Sequence, residues 1–340
     1  MSNFRRNELL PVIIALAAVI VLGALAYTFL GIGTAKGWVP LPTPAAESGE
    51  GTAEPGETED TGRETEAGTQ EETEPASAET EPTAPTESRE PSIAQIPDSR
   101  VNAITSAYST EVKRLVTGLD FEKDPAGRPV AVNRLLESFQ GKDVRVAAYA
   151  GGANEKVVSF TFLCDEEYGD TDNVMDILER YGIRASFYVT HYFAAHSPEC
   201  LRRMISDGHI VGNQSYQAPE GGIAKQSMFS QMSDALNMQT YVRTVFGYNM
   251  GRYYFPDGYY SDASVALMSE LGYDVRFGSV SYDDKDPEKA FNRDEVLSKL
   301  ESDLHPGANY CFHTVNEVTV KILEELILYI QTQGYTFAVG

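Results

Sequence analysis

The chain has 340 residues, 27 of them basic and 50 acidic, giving a formal charge of −23 at neutral pH. An acidic chain without a basic stripe repels phosphate backbones, which argues against nucleic acid as a partner. Three cysteines, Cys164, Cys200 and Cys311, far apart and odd in number, exclude a disulfide framework and a zinc knuckle.

The first element in chain order is an uncharged run from Leu9 to Ala35. It exceeds the ~20 apolar residues a helix needs to cross a bilayer. Residues 9–33 are therefore expected to span the membrane. Arg5 and Arg6 precede the run and only Lys36 follows closely, so the tail 1–8 is expected in the cytoplasm and the rest outside it. The rival reading is a cleaved signal peptide with Ala24-Leu25-Ala26 as its small-x-small site; Tyr27, Phe29, Leu30 and Ile32 continue the apolar run past that site and favour a retained anchor. Residues 34–100 are Glu, Thr, Pro, Ala, Ser and Gly, and within 41–100 there are 16 acidic residues against three basic ones, a net −13. Such a segment buries too little to offset its ordering entropy and is expected to be a disordered, extended stalk.

Residues 101–340 turn globular and carry a net −12. The apolar run 157–163 reads as a buried strand. A helix follows over 171–182, with Thr171 or Asp172 as its cap and Gly182 as its stop. Next come a strand over 184–190, a helix over 198–208, a short strand over 209–213 and a long amphipathic helix over 225–246. The series continues with strand 252–255, helix 262–272, strand 274–280, helix 293–304, strand 309–315, helix 317–334 and strand 335–339. Regular alternation of strand and helix implies an α/β fold with a parallel sheet, and this many units in one domain points to a distorted (β/α) barrel. Sites in that architecture form from loops at the C-terminal ends of the strands.

Several long segments in this order resemble one known family. TFLCDEEYGDT (161–171), MISDGHIVGNQSYQAPE (204–220), RYYFPDGYYSDASVALMSELGY (252–273), HPGANYCFHTV (305–315) and QGYTFAVG (333–340) are similar to the successive motifs of the polysaccharide deacetylase (NodB-homology) family, in particular its spore-type peptidoglycan N-deacetylases. The resemblance covers the globular region and implies that family's barrel, together with amide hydrolysis of a wall glycan. In the family an aspartate acts as general base and two histidines of H-[ST]-x-x-H hold a divalent metal, usually zinc. An arginine supports the base, and a late histidine protonates the leaving amine. The need is physical: a bound metal lowers the pKa of water from ~15.7 toward ~7 and polarises the carbonyl, while base and acid manage the protons.

At the matching positions the chain departs from the family. The base position is Leu163, the next is Cys164, the two metal-histidine positions are Gln214 and Ala218, and the arginine position is Tyr254; Ser215 and His313 are kept. His313 is a candidate acid or a retained barrel residue, and Asp165, Glu166 and Glu167 are either substitute carboxylates at the mouth or helix-capping loop residues. Ser215, Tyr254, Tyr259 and Tyr260 are candidate ligand contacts, the tyrosines because aromatic faces at a barrel mouth stack on sugars, although strand packing also uses them. His209 and His305 fall on structural positions, and His191 and His196 are expected to be solvated. The expectation is a membrane-anchored envelope protein that binds cell-wall glycan (peptidoglycan) or an envelope protein, catalytically degenerate and without a cofactor. The alternative is an active N-deacetylase with relocated residues and zinc or another divalent metal.

Overall fold

A computed structural model describes residues 93–115, 122–219 and 221–339; the expected tail and membrane span, and the stalk up to residue 92, lie outside them. Among the described residues no helix is long and apolar enough to cross a membrane. The described strands are β1 (Lys113–Arg114), β2 (Val146–Ala147), β3 (Val157–Cys164), β4 (Ser186–Thr190), β5 (Ile210–Ser215), β6 (Arg252–Tyr254), β7 (Tyr259–Tyr260), β8 (Asp274–Arg276), β9 (Asn309–His313) and β10 (Thr336–Phe337). β1 and β7 form a small antiparallel pair. The others make one parallel sheet in the order β10-β3-β4-β5-β6-β8-β2, with β9 also paired to β3.

The sheet curls into a half-barrel. Just past β8, Val280 bridges Tyr310 of β9 in parallel; the Ser279 and Val280 amides donate to the Asn309 carbonyl and the Cys311 amide to the Val280 carbonyl, so the curl closes there. The expected strand over 274–280 is thus only three residues long as a paired element, and its continuation serves as this closing contact. The β5–β6 contact is thin, registered at one pair, Asn213 with Tyr253.

Side chains alternate between the two faces of each strand. On β3, Phe160, Phe162 and Cys164 face outward into a cluster with Phe187, Phe312, Met175 and Leu326, beneath helices Asp170–Arg180, Pro198–Ser206 and Glu317–Thr332. Each such ring contributes about 1.5–3 kcal/mol by leaving water. A second cluster packs Tyr253, Phe255 and Val275 against helices Asp98–Ala107 and Asp262–Leu271. Inside the curl, β3 presents Ser159, Thr161 and Leu163. Ser159 Oγ and Thr161 Oγ1 both donate to Asn309 Oδ1 at 3.0 Å, so β3 and β9 pair their interior polar groups below the mouth. Leu163 is the last interior residue of β3, at the C-terminal mouth.

Helix starts follow capping chemistry. Thr190, Ser227, Ser261, Asn292 and Asn316 each accept a first-turn amide with the side chain. The helix expected at 171 begins instead at Asp170, because the Glu167 carboxylate accepts the amides of Gly169 (2.6 Å) and Thr171 (3.3 Å) and Gly169 takes a left-handed φ of 92°. Thr171 is thereby buried, and Asp172 pairs with Arg203 at 3.1 Å rather than capping.

Candidate ligand cleft

Leu163 is 4 % exposed and packs with Tyr188, Tyr254 and Cys311, which together make the floor at the mouth of the curl. Gly212 on β5 lets Tyr188 lie there, since a Cβ at that position would stand 2.4 Å from its ring. The Tyr188 and Tyr254 rings lie 5.2 Å apart, and the Cys311 thiol donates to Tyr254 Oη at 3.3 Å. Burial pushes the Cys311 thiol up to about 12 and the Tyr254 phenol well above its usual range, so both are neutral. The floor therefore carries no charge and no base.

The rim is polar. His313 Nδ1 lies 2.7 Å from Asp284 Oδ1, and the His313 amide donates to Asp284 Oδ2 at 2.8 Å. Burial by itself would lower the imidazole's pKa; the buried Asp284 carboxylate outweighs it and holds His313 above its ordinary value. A histidine whose pKa is raised on folding adds stability in full below its unfolded pKa of about 6.5, and that stability is lost as pH rises through the folded value. Urea midpoints between pH 6 and 9 are accordingly expected to fall with pH in the native chain and to flatten in Asp284→Asn. An equal slope in both would remove this pairing from the account.

Lys285 closes the opposite side by pairing with Asp257 and, at 3.8 Å, with Asp165. Asp257 has a left-handed φ of 56°, and Arg114 Nε donates to its carbonyl at 3.1 Å. Next to it, Gly258 has φ 70°; a Cβ there would meet the Leu115 carbonyl at 2.5 Å, so the turn needs glycine. Between floor and rim lies a cleft of about 420 Å³, bordered by Leu163, Tyr254, Asp257, Lys285, Cys311 and His313.

The remaining candidates fall as follows. Asp165 Oδ1 accepts from Gln214 Nε2 at 2.8 Å, so the carboxylate is tied to the residue at the first histidine position. Glu166 accepts from the Tyr168 hydroxyl, and Glu167 caps the helix. Ser215 does not reach the cleft: its Oγ donates to buried Asp234 Oδ2 at 2.9 Å and accepts the Ala218 amide at 2.8 Å. Tyr260 is buried against Phe277 in the second cluster, and Tyr259 lies between Arg114 and Lys225; neither borders the cleft, because the β1–β7 pair turns both away. His209 accepts the Ala185 amide, and His305 sits between the Asp303 carbonyl and Ser279, pushed down by burial to about 4. His191, expected in solvent, packs between Tyr216 and Tyr241.

A divalent metal needs converging donors. Ala218 has none, Gln214 offers only an amide, and Asp165 Oδ1 is engaged by that amide. Cys164 is a buried thiol, its pKa pushed well up by burial, with Thr314 Oγ1 donating to its sulfur at 3.6 Å. Among the described residues no three His, Cys, Asp or Glu side chains gather so as to hold an ion. These residues do not fit a four-coordinate zinc site.

Sequence reasoning missed Asp284, Lys285, Asp257 and Asp234. The first two had a weak signal in the charged run SYDDKDPEK (281–289) at a mouth loop. Asp234 had another, as a carboxylate on the buried face of a long helix.

The polysaccharide deacetylase family description matches residues 132–276. The peptidoglycan-N-acetylmuramic acid deacetylase PdaA of Bacillus subtilis (strain 168) is 30 % identical over 207 residues, 61 % of this chain and 76 % of that protein. The structure of Bacillus subtilis PdaA, a family 4 carbohydrate esterase, superposes with a TM-score of 0.60 at 26 % identity, covering 68 % of this chain and 96 % of that one. BA3943 of Bacillus anthracis, described as a pseudoenzyme of the same esterase family, has a TM-score of 0.50 at 18 % identity over 56 % of this chain and 66 % of its own, and shares the fold alone.

Proposed function

Because the chain belongs to the polysaccharide deacetylase family, we propose that it is a glycan-binding member that has lost the hydrolytic reaction and acts at the cell wall. One observation carries the reading: the floor of the cleft is Leu163, Tyr254 and Cys311, neutral and without a proton acceptor, where amide hydrolysis needs a base beside an activated water. His313 on Asp284 is an acid with no base to serve. The His313 Nε2 and the rim carboxylates suit the hydroxyl and amide groups of a sugar. The relatives' action on peptidoglycan supports a wall glycan as the ligand. The apolar run over residues 9–33 and the acidic stretch over 34–100 support a membrane anchor and a spacer that hold the domain outside the cytoplasmic membrane.

The second reading, a working N-deacetylase, is favoured by the intact Asp284–His313 pair, with Asp165 as base. One experiment separates the two: purified full-length protein is incubated with peptidoglycan fragments and with chitin oligomers, and both bound sugar and released acetate are measured. Binding without acetate release is expected. Acetate release that disappears in His313→Ala would establish the second reading.

A further inference from the structure

We propose that Tyr168 and Tyr192 form a stacking platform beside the cleft for one pyranose ring of a glycan strand that runs out of it; this extends the glycan-binding reading and rests on it. The two rings are 53 % and 52 % exposed. Exposed apolar residues scattered singly need no explanation, but these two are neighbours by topology. β3 and β4 are adjacent with Cys164 opposite Val189, and Tyr168 and Tyr192 stand four and three residues beyond that pair on the loops of the mouth. The loops are also tied together: Thr190 Oγ1 donates to the Asp165 carbonyl at 3.0 Å, and Asp165 pairs with Lys285, which borders the cleft.

Both rings are held in place before any ligand arrives. The Tyr168 hydroxyl donates to Glu166 Oε2 at 2.7 Å. Tyr192 lies nearly parallel to the His196 ring, with centroids 4.0 Å apart at 23°, and His196 Nδ1 is 2.8 Å from the Tyr192 carbonyl. A pre-ordered flat apolar face bordered by carboxylates matches a sugar, whose axial C–H face is apolar and whose hydroxyls donate. Glu166, bonded to the Tyr168 hydroxyl, and Asp170 two residues beyond the ring repel an anionic polymer and leave a neutral glycan as the fitting occupant.

The test is a calorimetric titration of the full-length protein with the dimer and the hexamer of N-acetylglucosamine. The hexamer is expected to bind more tightly than the dimer. Tyr168→Ala and Tyr192→Ala are each expected to weaken hexamer binding about fivefold to tenfold and to leave dimer binding unchanged. Tyr168→Phe keeps the face but loses the tie to Glu166, and is expected to bind the hexamer between the native chain and Tyr168→Ala. Native hexamer affinity in both alanine variants would overturn the platform while leaving glycan binding intact. No binding of either oligomer by the native protein would overturn the glycan reading and the platform with it.

Discussion

A chain carrying Leu163→Asp, Gln214→His, Ala218→His and Tyr254→Arg together is expected to bind one zinc ion with micromolar or tighter affinity, about 8 kcal/mol or more, and the native chain is expected to bind none. The backbone favours the result. Ala218 has a φ of 42°, in the left-handed region where histidine is among the enriched residue types. Gln214 already points its side chain at Asp165 on the neighbouring mouth loop. Leu163 and Tyr254 pack in one cluster, so the new aspartate and arginine would meet there. The single change Leu163→Asp should be poorly tolerated, destabilising by about 3–5 kcal/mol as an unpaired buried carboxylate. Adding Tyr254→Arg should recover part of that loss, a coupling readable in a double-mutant cycle. Zinc titration with elemental analysis and urea unfolding provide the measurements. A folded quadruple variant that takes up no metal would show that these four positions do not converge as assigned.

The second large effect is expected at Asp234. Its carboxylate accepts from Ser215 Oγ, from the Tyr216 amide at 2.9 Å and from the Gln217 amide at 2.8 Å, while Ser215 Oγ in turn accepts the Ala218 amide. The side chain is 3 % exposed, and burial, outweighing the three hydrogen bonds, raises its pKa. Asp234→Ala leaves three donors without an acceptor, at about 1–3 kcal/mol for each one that stays buried, and a loss of about 3–5 kcal/mol in urea unfolding is expected. Asp234→Asn retains one acceptor oxygen and should fall between. A loss under ~1 kcal/mol in the alanine variant would mean that the loop holds its form without the carboxylate. The loop at the former histidine positions is thus shaped from behind by a carboxylate on helix Met228–Phe246, independently of any ion.

The strands that build the barrel were legible because they are buried on both faces. A run such as VVSFTFLC admits few other readings, and capping residues followed by apolar periodicity marked the helices. The two-residue strands β1, β2 and β7 were not legible, since pairings that short are set by the partner strand rather than by local composition. Helices Asp98–Ala107 and Val130–Glu137 were also missed; Pro97 and Pro129 stand at their caps and no side-chain cap announces them. Within the site, Leu163, Gln214, Ala218 and Tyr254 could be placed by position in the motif. Asp284 and Asp234 could not, because their roles are hydrogen bonds to His313 and Ser215, 29 and 19 residues away in the chain. For Tyr259 and Tyr260 the sequence left two readings open for a related reason: an aromatic pair beside a mouth motif reads the same whether the turn aims it at ligand or at core.

The thin place in the sheet, the single registered pair Asn213–Tyr253, falls where the two apolar clusters meet: Val211 of β5 belongs to one and Tyr253 of β6 to the other. β3, β4, β5 and β9 belong to one cluster, and β6 and β8 to the other. The cleft draws its lining from both groups of strands: Leu163 and Cys311 come from β3 and β9, Tyr254 from β6 and Asp257 from just beyond it. A sugar lodged there would touch strands from both clusters at once, so occupancy of the cleft would register as stiffness of the whole domain.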